Sequence, residues 1–97
     1  MKRILHVDTN HQSLTEGLSA LGFENTLNTT ASKIEIEHEI DQYDGLVIRS
    51  RFPIDKTFLN KAKNLRFIAR VGSGLENIDV KTAQEMGIAI LAAPEGN

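Results

Sequence analysis

Gly45-Leu46-Val47-Ile48, followed at once by Arg49-Ser50-Arg51, sets the frame for the whole chain. Four apolar residues without polar alternation read as a strand covered on both faces, the pattern of a parallel sheet between helical layers. Upstream, Ser32-Lys33-Ile34-Glu35 matches a capping box, in which a hydroxyl and a carboxylate satisfy free amides at a helix start. Ile36, Ile40 and Tyr43 then fall on one helical face. Ile34, Ile36, His38 and Ile40 also alternate as a strand would; the capping box decides for helix. Downstream, Asp55 is positioned to cap a helix carrying Phe58, Leu59 and Ala62. Phe67-Ile68-Ala69, within Arg66 to Arg70, reads as a fourth strand. Asp79 caps a further helix carrying Val80, Ala83 and Met86, which Gly87 ends, and Ile88 to Leu91 forms a fifth strand.

Nearer the amino terminus, Ile4 to Val7 reads as the first strand. Leu14, Leu18 and Leu21 follow at helical spacing up to Gly22, and Phe23 to Leu27 forms a second, edge-like strand. Repeated βα units of this kind predict an α/β, flavodoxin-like open parallel sheet of five strands in the order 2-1-3-4-5. Ligands of such sheets sit beyond the carboxyl ends of the strands. Asp8, Arg49-Ser50-Arg51, Val71-Gly72-Ser73-Gly74 and Ala93-Pro94-Glu95 should share that edge. The sequence stops at Gly96-Asn97, just after a strand and without a covering helix, so these residues are expected to be part of a longer domain.

Ninety-seven residues suffice for one core, and with 40% hydrophobic and 25% charged residues the balance is that of a globular domain. A net charge of −2 gives no global pull toward nucleic acid or an anionic membrane. The absence of cysteine excludes disulfides, thiolate metal sites and a cysteine nucleophile. The first apolar run is too short for a signal peptide or a membrane span, which makes the cytoplasm the expected location.

Two glycines directly after the fourth strand, Gly72 and Gly74, allow a tight turn whose successive amides can cradle an anion. A dinucleotide fingerprint fails here, because Asn77 stands where the third glycine belongs. Taken alone, the glycine pair also fits an ordinary strand-to-helix turn. Arg49 and Arg51 can grip a carboxylate or phosphate by forked hydrogen bonds. Salt bridges to Asp44 or Asp55 are the plainer alternative. Arg70 is a third cation at a strand end, for which a structural ion pair competes with ligand contact. Asp8 ends the first strand as acids do in phosphorylated receiver domains, but Arg49 and Ser50 occupy the acceptor's place. His6 reads as core or cleft lining, His11 and His38 as surface, and Glu35, Glu37 and Glu39 as a solvated helix face.

The run from Leu65 to Asp79, LRFIARVGSGLENID, resembles the substrate-domain signature of the D-isomer-specific 2-hydroxyacid dehydrogenases. Ala83 to Asn97, with Met86-Gly87-Ile88 and Pro94-Glu95-Gly96-Asn97, continues the resemblance, as does Gly45 to Arg51. It implies an NAD-dependent enzyme that oxidises a 2-hydroxy acid to a 2-oxo acid, with residues 1–97 as the amino-terminal part of its substrate-binding domain. The family's loop matching Val71-Gly72-Ser73-Gly74 receives the substrate carboxylate on its amides, and Ser73 matches a residue beside the nicotinamide. Arg49, Ser50 and Arg51 match the region that holds the anionic end in members taking phosphorylated acids, and Arg70 matches a basic position near the cleft. Glu76 replaces the more usual aspartate. The family's arginine, acid and histidine for hydride transfer, its glycine-rich dinucleotide loop and its returning carboxy-terminal segment have no counterparts in this sequence. The chain alone is therefore expected to be inactive, with apolar surface exposed, and the parent enzyme is expected to be a homo-oligomer. The competing expectation is a non-catalytic module of the same fold that binds a small anion or a protein.

Overall fold

The computed structural model describes residues 2–8, 19–49, 52–71 and 77–93. Five strands, β1 (Arg3–His6), β2 (Glu24–Leu27), β3 (Gly45–Ile48), β4 (Phe67–Val71) and β5 (Ala89–Ala93), form one parallel sheet in the order β2-β1-β3-β4-β5. This is the predicted topology. Three helices are described: α1 (Lys33–Glu39), continued by a short 3-10 turn (Ile40–Gln42), α2 (Lys56–Lys61) and α3 (Val80–Glu85).

Each helix starts where a side-chain oxygen meets free amides. The Ser32 hydroxyl accepts from the Glu35 N–H at 3.3 Å, and the Glu35 carboxylate accepts from the Ser32 N–H at 2.9 Å, closing the expected capping box. Asp55 accepts from the Phe58 N–H at 3.0 Å. Asp79 accepts from the Thr82 N–H at 3.2 Å and from the Thr82 hydroxyl at 2.8 Å. These bonds favour the ionised acid. Glu35 is held below its ordinary pKa by Ser32, Asp55 by the Lys33 ammonium and then the Phe58 N–H, and Asp79 by Thr82.

Helix α3 ends in a Schellman turn. The Ile88 N–H reaches the Ala83 carbonyl at 2.9 Å and the Gly87 N–H that of Gln84 at 3.0 Å, with Gly87 at a φ of +79°. That turn delays β5 by one residue from its expected start. It also makes Met86 the helix cap, 41% exposed, instead of a member of the helix's buried face. Gly22 likewise ends its segment with a positive φ of +91°, but Leu21 beside it is 75% exposed. Leu14 and Leu18 lie outside the described residues.

Strand β3 is buried at all four positions, as its apolar run required. On one face of the sheet Leu5, Val7, Leu46, Ile48 and Ile68 pack with Ile36, Ile40, Phe58, Leu59 and Ala83 from the helices. On the other, Ile4, Val47, Ala69 and Val71 form a smaller cluster with Phe23 and Phe67. The helical reading of 32–43 is thereby borne out, with Ile36, Ile40 and Tyr43 buried and Ile34 exposed. The expectation of a solvated face of Glu35, Glu37 and Glu39 holds for Glu35 and needs correcting at the half-buried Glu37 and Glu39. Lys33 bonds Asp55 at 2.5 Å and lies 3.9 Å from Glu37, whose side chain is only 9% exposed. The tie between α1 and α2 draws that flank of the helix inward. Glu39 accepts from Asn28 at 3.4 Å.

His6 is fully buried, its Nε2 2.7 Å from the Asn25 side-chain oxygen, and Asn25 in turn donates to the Ser19 hydroxyl at 2.8 Å. Burial pushes the His6 pKa below its ordinary 6.5. The sign follows from linkage: below pH 6.5 the unfolded chain takes up a proton that the folded chain refuses, so stability falls as pH falls. The three capping carboxylates add a second loss in the same direction, below their ordinary values of 3.8 and 4.5. The melting temperature is therefore expected to drop in two stages on acidification. In His6→Gln the first stage should disappear and the second remain. A melting temperature that is flat from pH 7 to 5 would contradict the buried neutral imidazole.

Candidate functional site

Ile48 stands opposite Arg70 in the β3–β4 register, so the chain leaves both strands side by side at the carboxyl edge of the sheet. Beyond the strands the two connections are stitched together again. Ile54 and Ile78 form a parallel bridge, with the Ile54 N–H donating to the Asn77 carbonyl at 2.7 Å and the Asp79 N–H to the Ile54 carbonyl at 2.8 Å. The Asn77 amide nitrogen also donates to the Phe52 carbonyl at 3.5 Å. The segment from Arg49 to Phe52 and the segment from Val71 to Asn77 thus start and finish next to one another. Of the expected site residues, Arg49, Arg70 and Val71 are described. Ser50, Arg51, Gly72, Ser73 and Gly74 lie outside the described residues.

Arg49 is fixed at its backbone, where its N–H donates to the Asp8 carboxylate at 2.6 Å. Asp8 follows β1, so this bond crosses the gap between β1 and β3, the point where the strand order reverses. The two acids considered as partners for the arginine pair are engaged elsewhere. Asp55 holds Lys33, and Asp44 accepts from the Arg3 N–H at 2.9 Å and lies 4.0 Å from Arg66.

Arg70 differs from an ordinary surface cation. It is 8% exposed. Its Nε donates to the Asn77 side-chain oxygen at 3.3 Å, and one terminal nitrogen donates to the Val71 carbonyl. Both acceptors are neutral. The structural ion pair anticipated for Arg70 is thus not formed among the described residues. A guanidinium desolvated without a counter-charge is costly unless something else supplies the negative charge.

The failed fingerprint at Asn77 now has a structural counterpart. Helix α3 begins only at Val80, under the Asp79 cap, and Asn77 is occupied with Arg70, Phe52 and Ile54. Asn77 therefore lies ahead of the helix amino terminus, not in its first turn as the third glycine of a pyrophosphate cradle does. Among the described residues there is no cluster of three potential metal ligands, and no helix long and apolar enough to cross a membrane.

The sequence profile of the D-isomer specific 2-hydroxyacid dehydrogenase family, catalytic domain, matches residues 4–97. This chain belongs to that family. A D-3-phosphoglycerate dehydrogenase from Archaeoglobus fulgidus is 38% identical over 76 residues, covering 78% of this chain and 14% of the relative. Another, from Methanocaldococcus jannaschii, is 35% identical over all 97 residues, or 18% of its own length. The chain thus spans less than a fifth of these curated relatives. The NAD+-bound 3-phosphoglycerate dehydrogenase of Entamoeba histolytica superposes with a TM-score of 0.81 at 21% identity, covering 94% of this chain and 32% of that one. At that identity the likeness speaks for the fold.

Within this 2-hydroxyacid dehydrogenase domain, sequence reasoning named the strand-end residues and passed over Asn77. Its only signal was a polar residue where a glycine fingerprint breaks off.

Proposed function

We propose that this chain is the substrate-binding lobe of an NAD-dependent D-2-hydroxyacid dehydrogenase of the phosphoglycerate type. One observation carries the reading: a buried guanidinium, Arg70, with no carboxylate partner among the described residues, sits at the edge where the Arg49 and Val71 connections emerge together. The relatives named D-3-phosphoglycerate dehydrogenase support the choice of acid. In this reading the amides of Val71, Gly72, Ser73 and Gly74 hold the substrate carboxylate. Arg49, Ser50 and Arg51 hold the distal phosphate, and Arg70 adds positive charge at the end of β4. Forked guanidinium contacts fix orientation as well as charge, and holding a reactant in place contributes on the order of several kcal/mol to a barrier.

NAD+ supplies the hydride acceptor. The Asn77 region does not fit its pyrophosphate, so the cofactor is held by a domain beyond these residues, and Ser73 is the one position here proposed to lie beside the nicotinamide. The catalytic arginine, acid and histidine belong to that same domain, and the parent enzyme is proposed as a cytoplasmic homo-oligomer. The role proposed for this chain is to bind and orient.

Titrating the 15N-labelled chain with 3-phosphoglycerate tests the reading. Amide signals of residues 49–51 and 71–74 should shift together, while those of α1 stay put. D-glycerate, which lacks the phosphate, should move the 71–74 set alone. If neither set responds to 3-phosphoglycerate at millimolar concentration, the substrate-lobe reading is wrong.

A further inference from the structure

We infer that Asn77 is a positioning residue that aims the Arg70 guanidinium into the anion site without neutralising it. The inference rests on the proposed substrate-binding role of this edge and adds to it a residue and a reason for its type.

Asn77 makes three ties of its own and stands beside a bridge. Its side-chain oxygen accepts from Arg70 Nε at 3.3 Å, and its side-chain nitrogen donates to the Phe52 carbonyl at 3.5 Å. Its own carbonyl accepts from the Ile54 N–H at 2.7 Å, and the next residue, Ile78, forms the bridge to Ile54. One side chain thereby joins the guanidinium on β4 to the connection that carries Arg49 to Phe52. An amide has both a donor and an acceptor, and each is used here in its proper direction.

The choice of an amide over a carboxylate decides what the guanidinium can still do. Aspartate has the same shape, and would accept from Arg70 with a stronger, charge-assisted bond. It would also cancel the Arg70 charge within the buried site and set a like charge against an incoming phosphate or carboxylate. Its second oxygen would face the Phe52 carbonyl, acceptor against acceptor. Asparagine orients the fork and leaves the full positive charge for a ligand. The Val71 carbonyl, the other Arg70 acceptor, is also neutral. Every described partner of this guanidinium therefore fixes its direction and leaves its charge uncompensated.

The experiment uses two variants of the chain, Asn77→Asp and Asn77→Ala, with two readouts. The first is the Arg70 Nε–H resonance. It should exchange slowly with solvent in the native chain and in Asn77→Asp, and at least ~tenfold faster in Asn77→Ala, because a bonded donor is protected only while its acceptor is present. Unchanged exchange in Asn77→Ala overturns the positioning role. The second is 3-phosphoglycerate binding, followed by amide shifts. Asn77→Asp should lose at least ~tenfold in affinity although it keeps the Nε–H bond, the effect of a charge introduced in a poorly screened site. Native affinity in Asn77→Asp overturns the argument from charge. The aspartate variant is isosteric and keeps the Ile54 N–H bond to the carbonyl of residue 77, so its dispersed amide spectrum serves as the folding control. If the native chain itself shows no response to 3-phosphoglycerate, the substrate-lobe reading fails, while the exchange measurement still decides whether Asn77 holds Arg70.

Discussion

Replacing Phe58 with alanine is expected to destabilise the domain by about 3–5 kcal/mol, the range for deleting a buried phenyl ring. Small domains hold about 5–15 kcal/mol in total, so the variant should sit near the edge of unfolding. Phe58 is fully buried and packs on Phe52 with ring centroids 5.7 Å apart. Helix α2 has only six residues, too few to persist by its own hydrogen bonds, so its face against the sheet holds it in place. Phe52, Ile54 and the Asp55 cap precede Phe58 directly, which extends the damage to the stitched edge of the candidate site. Urea denaturation followed by circular dichroism measures the loss. A Phe58→Ala transition within about 1 kcal/mol of the native one would mean that this ring is not the keystone of the larger core cluster.

Most of the fold could be read from the sequence because each element carries its own local signal. The apolar run at Gly45 to Ile48, the Ser32–Glu35 box and the aspartates at 55 and 79 all act within a few residues of themselves. Where the reading slipped, the cause lay farther along the chain or across it. Met86 has the spacing of a helical core residue, but the turn at Gly87 takes it out of the helix. Glu37 looks solvated until Lys33 is seen reaching across to Asp55. Gly45 shows a constraint that no local pattern reveals: a Cβ there would run into the Phe67 ring on the neighbouring strand.

The candidate site divides in the same way. Placing Arg49 and Val71 at one edge needed only the strand order, and the register confirms that their strands end together. The state of Arg70 and the part played by Asn77 depend on a pairing between residues 52–54 and 77–79. No spacing rule spans that gap. The roles proposed for Ser50, Arg51 and Gly72 to Gly74 rest on the family resemblance and on the described neighbours on either side of them.

Charge reversal at Arg70 should then do two kinds of harm. Arg70→Glu puts a carboxylate where both neighbours, the Asn77 side-chain oxygen and the Val71 carbonyl, are acceptors. Two hydrogen bonds are lost and a buried charge is left unpaired, a defect worth about 3–5 kcal/mol. Arg70→Met separates the two effects. It keeps length and apolar contact while leaving two acceptors without a donor, for about 1–3 kcal/mol, so the chain should remain folded. Its affinity for 3-phosphoglycerate should nevertheless fall at least ~tenfold, since a guanidinium contact to an anion is the strong kind of hydrogen bond. Urea midpoints and amide-shift titrations on the two variants give both quantities. Native stability in Arg70→Glu would show that the guanidinium is not seated against Asn77 and Val71. Native affinity in Arg70→Met would remove Arg70 from the site, leaving Arg49, Arg51 and the loop amides to hold the acid.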